Sequence, residues 1–221
     1  MRRMHIYGGG LLATFGLLAT MAVPSTAGVR VPDPALDDTP ATAKGNATLV
    51  LAGGCFWGIE EVYQHVRGVV DAVSGYAGGS ARTASYDMVS TGTSGHAESV
   101  KITYDPSQVT LGTLLKVFFS VAHDPTLLNR QGPDVGPQYR SAIFYSGDRQ
   151  QQLARSYIDQ LNSARVFKSP IVTQLVPLTA FYKAEEDHQD YAVKNPSNRY
   201  ILINDKPKVD DLKREFPALY K

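Results

Sequence analysis

Residues 48–66 read TLVLAGGCFWGIEEVYQHV. Thr48 to Ala52 is a short apolar run of the kind that forms a buried strand. Gly53-Gly54 breaks it with a sharp turn. From Phe56 onward the apolar residues Ile59, Val62, Tyr63 and Val66 recur at helical spacing. A strand that turns directly into a helix is the opening unit of an α/β layer. Cys55 falls at the first turn of that helix, where unpaired amide N–H groups and the positive end of the dipole favour a thiolate over a thiol.

Further along, Val69 to Tyr76 and His96 to Tyr104 read as strands, and Thr110 can cap a helix from Leu111 to Val121. Arg140 to Tyr145 is strand-like, Gly147 to Arg165 an amphipathic helix, Ile171 to Leu178 a strand and Lys183 to Lys194 a charged helix ended by Asn195-Pro196. The order, close to β-α-β-β-α-β-α-β-α, predicts a single α/β domain with a mixed sheet covered by helices. Residues 197–221 are expected to add a last short helix near Val209 to Phe216. Before the domain, Val29 to Ala47 holds three prolines and no aromatic residue, so 28–47 reads as a flexible linker.

Residues 1–27 read as a secretory signal peptide. Arg2 and Arg3 precede an apolar core from Leu11 to Val23, and Pro24-Ser25-Thr26-Ala27 offers small residues for cleavage after Ala27. The stretch is short for a membrane span, so contact with a membrane is expected only during export. The expected location is periplasmic or secreted. Beyond the leader, 20 basic residues stand against 21 acidic ones, which gives no support for nucleic-acid binding. Cys55 is the single cysteine of the 221 residues, excluding an intramolecular disulfide and a cysteine-rich metal cluster. No histidine pair shows metal-motif spacing, and no dinucleotide fingerprint or phosphate loop follows any strand, so neither a metal nor a nucleotide cofactor is expected. The charges of Glu185-Glu186-Asp187-His188 are read as solvated helix charges and capping.

Several residues could carry chemistry with Cys55. Phe56 and Trp57 would form an apolar slot beside the sulfur. Glu98 shares a strand face with His96, Val100, Ile102 and Tyr104, where a carboxyl is costly unless paired or neutral. Desolvation would raise its pKa and let it act as an acid near neutrality. Asp134, Tyr139 and Arg140 belong to a loop with two Gly and two Pro, a plausible site rim, and Tyr86 could add a phenolic donor.

GCFWG at 54–58, GYAGG at 75–79, TGTSGHAE at 91–98, QGPDVGPQYRSAIFY at 131–145 and AEEDHQDYAVKNP at 184–196 together resemble the A-type peptide methionine sulfoxide reductases. The resemblance covers 48–196 and implies a ferredoxin-like plait. It also implies reduction of methionine (S)-sulfoxide, in proteins and as the free amino acid, in the repair of oxidised proteins. Cys55 then matches the nucleophile, Glu98 the acid for the sulfoxide oxygen, Tyr86 and Tyr139 its phenolic partners, Asp134 the nearby carboxylate, and Phe56 and Trp57 the methyl-binding walls. Many members carry resolving cysteines in a glycine-rich tail, whereas 197–221 here has neither Cys nor Gly. A sulfenic acid on Cys55 would therefore be recycled by an external thiol: a thioredoxin-like protein, a glutaredoxin or a small thiol. A monomer is expected. Three other readings stay open: a one-cysteine thiol peroxidase, a Cys–His hydrolase using His96 or His188, and a binding module with an inert Cys55.

Overall fold

The computed structural model describes residues 28–38 and 45–221. The chain runs through β1 (Ala47–Gly53), α1 (Phe56–Gln64), β2 (Val69–Ala77), α2 (Tyr86–Ser90), β3 (Ala97–Tyr104) and α3 (Leu111–Val117), which continues as a π-helical turn over Phe118–Ala122. It then forms the short hairpin β4 (Arg130–Gln131) and β5 (Asp134–Val135), followed by β6 (Ser141–Tyr145), α4 (Asp148–Ser163), β7 (Gln174–Pro177) and β8 (Phe181–Lys183). The last elements are α5 (Tyr191–Lys194), a π-helical turn over Ile201–Asp205, and α6 (Lys206–Glu215).

The main sheet has the order β7-β6-β1-β3-β2-β8. β1 lies between β3 and β6 and is antiparallel to both, with Leu51 opposite Val100 on one side and Ile143 on the other. This central position explains the continuous apolar run from Leu49 to Ala52, since both faces and both edges are covered. β2 pairs antiparallel with β3. The four inner strands, in the order β6-β1-β3-β2, are those of a ferredoxin-like plait. β7 extends it in parallel at one edge and β8 in antiparallel at the other, so the sheet is mixed. The predicted fold class is confirmed.

Apolar residues of α1, α3 and α4 merge with Leu49, Leu51, Val100, Ile102 and Ile143 in one core. The Tyr63 hydroxyl donates to the Leu114 carbonyl at 2.9 Å and ties α1 to α3. The opposite sheet face carries the smaller set Val50, Ala52, Ala77, Ala97, Ala142 and Phe144. Among the described residues no helix is long and apolar enough to cross a membrane. The signal-peptide reading of 1–27 lies outside the described residues.

Three expectations need correction. Of the segment 28–47, read as a flexible linker, residues 28–38 form a docked strap. Val31 is buried in the main core, and the Tyr157 hydroxyl donates to the Pro32 carbonyl at 2.6 Å. Asp37 accepts from the Gly112 amide at 2.7 Å and from the Thr110 hydroxyl. Prolines suit such a strap because an extended segment bound by side chains has no ladder for them to interrupt.

The helix expected over Lys183–Lys194 is instead a strand, a 3-10 turn at Glu186–His188 and the single turn of α5, with a left-handed kink at Asp190 (φ 54°). Its polar side chains are tied to the sheet. Gln189 accepts from the Ser74 amide at 3.1 Å and donates to the Ser74 carbonyl at 3.0 Å. The domain limit at 196 is also too early. Ile201, Asp205, Val209 and Leu212 are buried, and α6 packs on α1. The helix expected near Val209–Phe216 begins three residues sooner, with Pro207 in its first turn.

Candidate active site

The site is built at the junction of β1 and α1. Gly54 takes φ +100°, and a Cβ there would come within 2.6 Å of Gln131 Cβ, so the turn requires glycine. It delivers Cys55 to the N-cap of α1, 8% exposed and free of any disulfide. The expected resting thiolate is not what this environment supports. Burial pushes the thiol well above its ordinary value, and the Glu98 and Asp205 carboxyls push it further. The Trp57 backbone N–H and Lys208 act the other way but do not prevail. A helix start favours an anion, but desolvation and two nearby acids outweigh it. The sulfur rests as a thiol.

Glu98 lies on β3, 3% exposed, and its Oε2 accepts from the Phe56 amide at 3.1 Å. This bond ties the carboxyl to the residue next to Cys55. Burial raises its pKa to about 8, with Asp134 and Asp205 adding to the rise against the Phe56 hydrogen bond. A carboxyl raised this far favours its protonated form at neutral pH, and Oε1 is the oxygen that Phe56 leaves free.

The other named residues converge on the same place. Tyr139 and Tyr86 are both held above the ordinary phenol range, by burial first and then by the Glu98 charge, and both sense Cys55 and Asp134. Burial raises Asp134, which accepts a hydrogen bond from Tyr200. Phe56 is buried, whereas Trp57 is partly exposed and stacks on Tyr191 with ring centroids 3.8 Å apart. Arg140 takes no part at the rim: its guanidinium donates to the carbonyls of Gly95, His96 and Pro137 and fixes the loop behind.

Other side chains hold places here that the sequence reading did not give them. Glu185, expected to be solvated, accepts from the Tyr86 amide at 2.9 Å and the Tyr76 hydroxyl at 2.8 Å. His188 accepts from Trp57 Nε1 at 3.2 Å and lies against the Tyr86 ring at 4.4 Å, so it locks two walls rather than serving a hydrolase. His96 has Nδ1 on the Gly79 amide and Nε2 on the Ser80 carbonyl, which leaves it no role as a base either. Tyr200, edge-on to Trp57, and Asp205 come from the C-terminal segment. The only hint of these in sequence was the density of aromatic and acidic residues after 185. Among the described residues no three His, Cys, Asp or Glu side chains are grouped as a metal ion would need.

A buried thiol, a proton-bearing carboxyl and an aromatic wall define a thiol-based oxidoreductase site of the kind that reacts through sulfur. The peptide methionine sulfoxide reductase profile matches residues 47–219, and the chain belongs to that family. It is 58% identical over 178 residues to peptide methionine sulfoxide reductase MsrA 2 of Mesorhizobium japonicum, covering 80% of this chain and 91% of that protein. It is 50% identical over 188 residues to MsrA 2 of a Synechocystis species, covering 84% and 88%. Among solved structures it resembles reduced Mxr1 of Saccharomyces cerevisiae, at TM-score 0.63 and 35% identity over 72% of this chain and 91% of that one. Methionine sulfoxide reductase A of Corynebacterium diphtheriae gives TM-score 0.59 and 35% identity over 77% and 89%.

Proposed function

We propose that this enzyme reduces the S epimer of methionine sulfoxide, in proteins and as the free amino acid, with Cys55 as nucleophile and Glu98 as acid. The observation that carries this is the buried Glu98 carboxyl, bonded to the backbone of the residue after the one cysteine and with its pKa raised by burial. A sulfoxide oxygen leaves sulfur only when protonated. Glu98 gives its proton to that oxygen while Cys55 Sγ attacks the substrate sulfur, and the thiol proton returns to the vacated carboxylate. The substrate sulfur–oxygen bond breaks and the oxygen leaves as water; water then attacks Cys55 Sγ and breaks the new sulfur–sulfur bond, so methionine leaves with that bond's electron pair and Cys55 is left as a sulfenic acid. The electron pair that reduces the substrate comes from Cys55, and Glu98 finishes as it began.

Tyr86 and Tyr139 hold the oxygen, Asp134, bonded by Tyr200, is the nearby carboxylate, and Phe56 and Trp57 receive the methyl group. An oxygen partner and a methyl wall on different sides select one epimer. With one cysteine in the sequence, the sulfenic acid is reduced by a thiol from outside, such as a thioredoxin-like protein, a glutaredoxin or a small thiol, through a mixed disulfide and loss of water. Export is part of this proposal. It is supported by the leader pattern of 1–27.

Resolved S and R sulfoxide peptides incubated with the protein and a small dithiol test the reading. Loss of one oxygen from the S peptide alone, abolished by Cys55→Ser, is the expected result. Reduction of the R peptide, or activity surviving in Cys55→Ser, contradicts it.

A further inference from the structure

The C-terminal segment places an ion pair against the first turn of α1, and the mechanism above does not use it. Asp205 ends the π-helical turn, is fully buried, and is bonded through Oδ1 to Lys208 Nζ at 3.0 Å. Its Oδ2 has no hydrogen-bond partner. The pair lies directly over Gly58, three residues after the nucleophile. A Cβ on Gly58 would come 2.1 Å from Asp205 Oδ1 and 2.9 Å from Lys208 Nζ. The glycine that closes the GCFWG motif is thus the space in which the carboxylate rests. A carboxylate with one oxygen unsatisfied is an expensive group to bury at a helix start. No amide is bonded to it there, so capping does not account for it. Its charge, poorly screened in this setting, acts on what lies next to it.

We propose that Asp205 and Lys208 are a positioning pair for the nucleophile: packed over Gly58 at the first turn of α1, the buried ion pair sets the charge that the Cys55 sulfur meets. This rests on Cys55 being the nucleophile of the proposed function. The charged and titratable groups facing the sulfur are Glu98 from β3, Asp205 and Lys208 from the C-terminal segment, and the phenols Tyr86, Tyr139 and Tyr200. Asp205 itself faces Lys208, Asp134 and, from α1, Glu61. Lys208 is the cation that acts on the sulfur against these acids, and each member of the pair moves the thiol in its own direction. The consequence for the reaction is that both protons are in place when substrate arrives, and the sulfur is spared from indiscriminate oxidation.

The test is the pH dependence of Cys55 alkylation by iodoacetamide, which is unambiguous because the sequence holds one cysteine. The midpoint reports ionisation, and the plateau at high pH reports access. Asp205→Asn is expected to move the midpoint to lower pH and raise the rate below it by about tenfold, the equivalent of one pKa unit. Lys208→Met is expected to move the midpoint to higher pH, because it removes the cation that acts on the thiol against the carboxylates. A purely structural pair would move neither midpoint, or both in one direction, and either result overturns the proposal. Should Asp205→Asn fail to fold, Lys208→Met decides alone, since a midpoint unchanged or lowered is contrary. Retained reductase activity in Cys55→Ser would remove the proposed function and leave this titration readable, so the two failures are distinguishable.

Discussion

Asp37, brought by the N-terminal strap, and Asp205, brought by the C-terminal segment, each stand at the start of a helix of the core. Asp37 bonds the Gly112 amide and the Thr110 hydroxyl at the start of α3, satisfying donors that the helix cannot satisfy itself. Asp205 at the start of α1 bonds Lys208 and leaves its other oxygen without a partner. The same side chain at the same kind of position thus holds a fold together in one place and sets the charge of a reacting group in the other. The difference lies in burial and in the neighbour: Asp37 is half-buried over a cap, Asp205 is fully buried beside a thiol.

The contrast can be broken at either end. The larger effect is expected from Gly58→Ala. The new Cβ collides with Asp205 and displaces the C-terminal segment from the site. Overpacking of this kind costs about 1–3 kcal/mol, and a site misplaced by an ångström loses about 10²-fold in kcat/KM. Steady-state kinetics together with a denaturation midpoint should therefore both move. Smaller and purely structural is Asp37→Ala, which removes a cap worth about 1 kcal/mol. Urea unfolding should register that loss while kcat/KM stays at the wild-type value. A drop in kcat/KM with Asp37→Ala would show that the two ends are not separable in the way described here.

Much of the centre was legible because it is written locally. An apolar run stopped by two glycines and followed by helical spacing names β1 and α1, and strand alternation places Glu98 on a buried face where a carboxyl must be neutral. The ionisation of Cys55 was misread because its governing neighbours are remote in sequence: Glu98 is 43 residues away and Asp205 150. Helix position argued for an anion, and nothing near 55 revealed two acids folded against it. The strap was missed for a related reason. Val31 is one apolar residue among prolines, and its burial depends on α3 and α4 lying beneath it. In 183–194, charge density imitated a solvated helix, while Glu185 and Gln189 spend their polar atoms on Tyr86, Tyr76 and Ser74.

The raised pKa values of the Cys55 thiol and the Glu98 carboxyl set the resting site for two protons, one on each. Glu98, with its pKa raised to about 8, is protonated below that pH and ionised above it. It can supply the sulfoxide oxygen with a proton only on the acid side, so activity should be present at neutral pH and decline as pH rises through about 8. The most direct measurement is kcat/KM against pH for the wild type and for Glu98→Gln. The account predicts that decline in the wild type, and in Glu98→Gln a rate lower by about 10²–10⁴-fold without it. A wild-type rate that climbs through pH 8, or a Glu98→Gln enzyme with undiminished activity, would contradict it.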